Sequence, residues 1–410
     1  MPRGLFLIAV LFLVLSGSAQ TRALDFYVNS GLQNAPVLKD YSEQITQNGF
    51  DSLMLNAERK PQVNATSMLM AAPTYKGWGY DAAVTNGYNI GLQATASQNI
   101  FTRRIYAPQY EELRISSQGI SNSSKISAHE LQRDITAQYL TAYSTFNQLT
   151  YNQSLLKLLK DEEPVLAGFV KQGIYKQTDF LAFQLEEQLQ DIQVEQLKIQ
   201  YKSDLAELNS LCGVSDTAYY ELAAPEISSP IVQQSASPFR MQFRIDSLRI
   251  INSKSLVSSR YLPRFGWYAD AGLLSSSPNT FYRNVGFSAG LFFSFPIYDG
   301  RRKGLEYQKL DVNERIRMNY QQFFYTQQNI HIMQLKQQLA STGQLIQKEQ
   351  SALNTSEQLV TANKTLLNNG QTSVTDFILA IKSSIDLHNQ LNETQISRLE
   401  TINQLNYWNW

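Results

Sequence analysis

Gly173-Ile174-Tyr175-Lys176-Gln177-Thr178-Asp179-Phe180 and Gly370-Gln371-Thr372-Ser373-Val374-Thr375-Asp376-Phe377 are two versions of one phrase. In each, a glycine stands six residues ahead of an aspartate, where one long helix-compatible stretch closes and another opens. Glycine there lets the backbone take a positive φ and turn one helix back along the next. Gly173 and Gly370 are therefore read as the tips of two helical hairpins, with Asp179 and Asp376 just beyond them. The copies lie 197 residues apart, and the same offset carries Asn99-Ile100-Phe101 onto Pro296-Ile297-Tyr298, where an alternating segment ends. Two landmarks with one offset point to a duplicated unit.

In 410 residues, a repeat of this length makes two similar halves: 20–212 and 239–410, joined by a proline- and serine-rich linker over 213–238. Charged residues make up 17%, with Lys+Arg 35 against Asp+Glu 35, and nothing in this balance suggests a nucleic-acid surface. At the start, Arg3 precedes the apolar run Leu5 to Leu15, followed by the small residues Ser16 to Ala19. The run is too short for a membrane span and reads as an export signal over 1–19, cleaved after Ala19. Cys212, the only cysteine, allows neither an internal disulfide nor a lipid anchor beside that cleavage site, and reads as a small buried residue.

Each half follows one plan. A helix-compatible stretch from about Leu24 to Arg59 is stopped by Pro61, and strands follow over about 61–72 and 87–98. In the second strand Tyr88, Ile90, Leu92, Ala94 and Ala96 oppose Asn89, Gly91, Gln93, Thr95 and Ser97. The second half has strands over about 263–274 and 284–296, with Val285, Phe287, Ala289, Leu291 and Phe293 opposing Gly286, Ser288, Gly290 and Ser294. Each pair is expected to form a hairpin. Length and alternation match transmembrane barrel strands, although a soluble sandwich also alternates. Four strands cannot surround a lumen, and lipid tolerates no open sheet edge, so a barrel needs further copies of the chain; three give twelve strands. The remainder is long helix. Leu131, Ile135, Tyr139, Ala142, Phe146, Leu149, Asn152, Leu156 and Leu159 form a heptad-like seam. Leu185, Ile192 and Ile199, then Ile378, Ile381, Ile385 and His388, continue that spacing.

This order of elements, with the strand-to-helix phrase Ser294-Phe295-Pro296-Ile297-Tyr298-Asp299-Gly300-Arg301-Arg302 and the two Gly-to-Asp tips, resembles the TolC-like outer-membrane efflux protein family across essentially the whole mature chain. The first corner departs from the phrase, since Asn99-Ile100-Phe101-Thr102-Arg103-Arg104 lacks its proline and glycine, and a different shape is expected there. The resemblance implies a homotrimer: a twelve-stranded barrel in outer-membrane lipid, continued by a helical tunnel across the periplasm. It implies partners as well, a periplasmic adaptor (membrane fusion protein) and an inner-membrane transporter that dock at the tips around Gly173, Asp179 and Gly370. Pro296, Asp299 and Gly300 take the place of the family's strand-to-helix corner, and Asp376 that of its pore-lining aspartate. The family's tip latch is not kept, because Leu367 and Thr372 stand at its tyrosine and arginine positions.

Enzyme signatures are weak. Gly286-Phe287-Ser288-Ala289-Gly290 has the spacing of a nucleophile elbow but lies within a strand, where no strand-to-helix turn exposes the serine. His129, His331 and His388 lack metal-ligand spacing, and His388 is expected to be a satisfied histidine between helices. No phosphate loop or dinucleotide fingerprint occurs, so no catalytic residue, metal or cofactor is expected. Two readings stay open: a passive exit duct, and a periplasmic or secreted coiled-coil scaffold without a pore.

Overall fold

The computed structural model describes residues 21–73, 75, 77–80, 87–216, 218–228 and 237–410. The export segment over 1–19 and part of the 213–238 linker lie outside the described residues. The chain is mostly helical with one small antiparallel sheet. Helices α1 (Leu24–Asn34) and α2 (Pro36–Glu58) precede strands β1 (Gln62–Ala72) and β2 (Gly87–Ile100). Helices α3 (Arg103–Lys171), α4 (Gln177–Cys212) and α5 (Pro238–Arg260) follow. Then come β3 (Arg264–Ser275), a short 3-10 turn (Pro278–Arg283), β4 (Val285–Ser294), α6 (Arg302–Asn368) and α7 (Val374–Trp408). The single helix expected from Leu24 is divided, because Pro36 has no N–H to donate and drives Ala35 out of the helical region, to ψ 116°.

Two compact units result, and each draws chain from both sides of the 213–238 segment. One comprises 37–127 and 235–327 and contains the sheet, in the order β1-β2-β3-β4. Both expected hairpins form, and β2 also pairs with β3 although they are distant in sequence. The register aligns Ser67, Leu92, Leu273 and Val285 across all four strands, so every apolar set read from the alternation falls on one face. That face is unpacked in the protomer, with Phe287 90% and Leu291 70% exposed. The opposite face is largely polar or small, with Met68, Met70, Tyr268, Leu274 and Phe292 as its bulky members. There Phe292 covers Gly266, Tyr268 covers Gly290, and Ser288 Oγ donates to Asp270 at 2.7 Å. At Gly272 a Cβ would collide with the Leu92 carbonyl, so glycine permits the backbones to approach. Strands β1 and β4 are edges.

The other unit comprises the described residues of 1–36, 128–234 and 328–410. Its seam on α3 packs as expected: Ile135, Tyr139, Ala142, Leu149 and Leu156 meet Val194, Leu197, Tyr201, Leu205 and Leu208 of α4. The one polar seam member, Asn152, is buried and accepts a 2.8 Å hydrogen bond from Gln190 Nε2. Leu185, Ile192 and Ile199, by contrast, do not join this seam and are exposed. Sevenfold spacing marks a shared helix face without naming its partner, and α4 carries two such faces; Phe183, Val194 and Tyr201 lie on the packed one. Cys212 ends α4 fully buried, and burial pushes its thiol up to about 11. The segment after it is pinned: Tyr201 Oη donates to the Tyr220 carbonyl at 2.7 Å and Tyr139 Oη to that of Ala223 at 2.6 Å.

Candidate functional site

In the helical unit, the spacing of the repeated phrase has a structural cause. Gly173 (φ 76°) and Gly370 (φ 68°) both take the left-handed conformation that ends a helix. Ile174 N–H donates to the Phe169 carbonyl and Gly173 N–H to that of Val170, each at 3.0 Å; Gln371 and Gly370 repeat the pattern onto Leu366 and Leu367, at 2.8 and 3.0 Å. Each is a Schellman closure. Three residues after each glycine comes the N-cap of the returning helix, Lys176 or Ser373, and three further on comes the aspartate. Asp179 Oδ2 accepts from the Lys176 N–H at 3.2 Å. Asp376 N–H donates to Ser373 Oγ at 3.1 Å, so Ser373 caps the helix, and Ser373 Oγ donates to Asp376 Oδ2 at 2.7 Å. Asp376 is exposed beside Leu379. One glycine to stop a helix and one aspartate to start the next thus account for the six-residue interval.

The two tips are joined by a residue whose role the sequence reading missed. Tyr175 Oη donates to the Leu367 carbonyl at 2.9 Å and lies 3.0 Å from that of Thr372. Burial raises the phenol's pKa, which preserves its proton as a donor. A tyrosine from one hairpin therefore holds the backbone of the other at Leu367 and Thr372. Beneath it, the Phe183 and Phe377 rings lie nearly parallel with centroids 6.4 Å apart, and Glu162–Lys364 (2.7 Å) and Glu186–Lys382 (2.9 Å) link the hairpins. Tyr175 stands inside the repeated phrase, but its counterpart Thr372 is not aromatic, so the repeat itself gave no signal.

His388 stacks face to face on Tyr151, with centroids 3.6 Å apart. Its Nδ1 is buried without a protein partner, contrary to the expected satisfied ring, and burial lowers its pKa. His129 packs between Tyr407 and Trp410. Among the described residues no group of three His, Cys, Asp or Glu side chains could hold a metal.

In the sheet unit, Pro296 follows β4, and Asp299 accepts from the N–H groups of Arg301 and Lys303, each at 2.9 Å. The Lys303 amide is the largest influence holding this carboxyl below its ordinary pKa. Gly300 (φ 65°) and Arg301 (φ 69°) make the turn into α6. The first corner does differ: Phe101 alone takes a positive φ, 59°, and the Thr102 carbonyl accepts from the N–H groups of Ile105 and Tyr106. Phe101 and Arg301 are the non-glycine residues with positive φ among the described residues, and both stand where a strand becomes a helix.

No protein-family model and no curated protein matches the sequence. Solved structures match by fold. The outer membrane protein VceC from Vibrio cholerae superposes with a TM-score of 0.73 at 11% identity, covering 94% of this chain and 96% of that one. The Campylobacter jejuni CmeC outer membrane channel gives 0.69 at 12% identity, covering 100% and 93%. The open state of the Neisseria gonorrhoeae MtrE outer membrane channel gives 0.67 at 11%, covering 94% and 88%. At these identities the likeness establishes a shared fold.

Proposed function

We propose, from that shared fold, that this chain is an outer-membrane exit duct, a TolC-like channel that passes cargo but does not transform it. The observation that carries the reading is the sheet, with an apolar face aligned across four strands, exposed in the protomer, and bounded by two open edges. Strands of 11, 14, 12 and 10 residues have the length for a barrel wall. Lipid covers the face bearing Phe287 and Leu291; water fills the side bearing Gln93 and Ser288. Three copies close twelve strands, and no edge is left unpaired. A pore-free scaffold has no use for so large an apolar face exposed to water.

The tips are the periplasmic end, where an adaptor and an inner-membrane pump dock and where the duct closes. Three-fold symmetry would gather three Asp376 carboxylates around the axis, a ring that attracts multivalent cations more than monovalent ones. The test is single-channel recording from the purified protein in planar bilayers. A trivalent cation added from the tip side should block wild type, and Asp376→Asn should relieve the block. Equal block in both would leave Asp376 as the helix cap only. A protein that neither inserts nor conducts would overturn the duct.

A further inference from the structure

The helix-proximal end of the sheet carries a concentration of positive charge that neither the fold nor the duct requires. Strand register places the start of β1, the end of β2, the start of β3 and the end of β4 at this one end. Basic residues adjoin all four: Arg59-Lys60 before β1, Arg103-Arg104 after β2, Arg264 opening β3, and Arg301 to Lys303 after β4. All are exposed except Lys303, which is half-buried. Compensation is partial: the exposed Glu58 precedes Arg59, Glu306 pairs with Arg302 at 3.0 Å and with Arg260 at 3.6 Å, and Asp299 is taken up with backbone amides. At the other end of the sheet, the loops over 73–86 and 276–284 contain only Lys76 and Arg283 as basic residues in the sequence.

Two features give the concentration a direction. Neither α3 nor α6 has an acidic residue in its first turn; Arg103-Arg104 and Arg302-Lys303 stand there instead, against the positive ends of the helix dipoles. At α3 such placement is unfavourable for the chain alone and would be relieved by an anion from outside it; at α6 the Asp299 carboxylate, which accepts from the Lys303 N–H, already offsets the dipole in part. Exposed apolar side chains lie immediately beside the cations: Ile297 is 87% exposed, Tyr298 85%, and Phe101, which rests one side of its ring on Phe265, 84%. An apolar and aromatic belt followed at once by basic residues matches the boundary between acyl chains and phosphate headgroups.

We propose that this rim is a docking surface for anionic phospholipid headgroups, which seat in a basic collar around the helix-side end of the sheet. The proposal rests on the sheet lying in a membrane, and it adds the lipid class that the rim selects. A soluble anion would meet the cations but leave the adjoining apolar belt uncovered, whereas a phospholipid satisfies both at once.

The experiment uses the full chain purified in a mild detergent and exposed to phosphatidylglycerol or to phosphatidylcholine with the same acyl chains. Native mass spectrometry counts retained lipid, and thermal unfolding reads stabilisation. Phosphatidylglycerol should be retained about ten-fold more than phosphatidylcholine, and this preference should shrink as salt rises from about 0.1 M to about 0.5 M. Arg103→Gln/Arg104→Gln and Arg302→Gln/Lys303→Gln, made separately and together, should reduce the preference; Arg283→Gln at the other end should keep it. No lipid preference in wild type overturns the collar, as does an unchanged preference in the combined variant. Inorganic phosphate or glycerol 3-phosphate competing as well as the lipid also overturns it, leaving a simple anion site. If the combined variant fails to assemble, the wild-type lipid and salt arms still decide. A chain that stays soluble without detergent would instead defeat the membrane reading, which is a separate outcome.

Discussion

At Gly370 and Gly168 the same substitution should act with opposite sign. Gly370 has a left-handed φ and its Cβ would meet Ile174 at 3.0 Å, so Gly370→Ala should cost about 1–2 kcal/mol. Gly168 lies within α3 with open space around it, and Gly168→Ala should stabilise by about 0.5–1 kcal/mol. Chemical denaturation of both variants checks the pair. Asp216 offers a test by pH. Hydrogen bonds from Tyr220, the Ala218 amide and Arg22 hold its carboxyl down at about 2, from 3.8. A depressed carboxylate contributes stability above its unfolded pKa and loses it as pH falls through the folded one. Wild type should therefore melt above Asp216→Asn near neutral pH, and the two melting curves should converge as pH drops from about 4 towards 2. At this scale the aspartates of the tips were legible because spacing alone fixes their place relative to a cap. Tyr175 was not, since its partners are carbonyls on another hairpin and main-chain acceptors have no sequence signature.

Helix α4 shows how one element can serve two contacts. Leu208 lies fully buried against α3, so Leu208→Ala should destabilise the protomer by about 2–5 kcal/mol. Ile192 is 54% exposed on the other apolar face, so Ile192→Glu should leave protomer stability nearly unchanged while weakening association between copies. Light scattering beside thermal melts separates the two; an Ile192→Glu oligomer as robust as wild type would return that face to solvent. The seam of α3 was readable because its nine positions keep one period on one helix. The α4 stripe kept the same period, yet its partner was not legible, because periodicity carries no information about which surface lies opposite. The sheet was readable for a related reason: alternation assigns each side chain to a face, and pairing can only join like faces if the sheet is amphipathic. The β2–β3 pairing was not, since it is long-range.

For the whole molecule, the decisive contrast is between adjacent residues on opposite sides of one strand. If the sheet is a barrel wall as proposed, Phe287→Arg places charge against lipid and should cost about 2–4 kcal/mol of barrel stability near the membrane midplane, whereas Ser288→Arg points into water and should cost far less. Heat-dependent dissociation of the oligomer on gels, after equal membrane expression, reads the difference; equal behaviour would reverse or abolish the assignment of faces. The elements themselves, two strand pairs and two long helical hairpins, were recoverable from sequence. The division into compact units was not, because each unit is built from segments on both sides of the linker, and sequence order hides that interleaving.

Strands β1 and β4 leave two rows of backbone hydrogen-bonding groups without partners in a single protomer. On the proposed duct reading, a newly made chain carries adhesive borders until its siblings arrive, and any sufficiently flat strand that reaches it first is a competitor. Productive folding becomes a question of encounter rate: the apparent melting temperature should climb with protein concentration by mass action, and dilute or slowly delivered chains should be lost to proteolysis or misassembly. If copies of the chain close the wall as proposed, the same edges make the lone protomer a short-lived species, which any cell producing it has to shepherd.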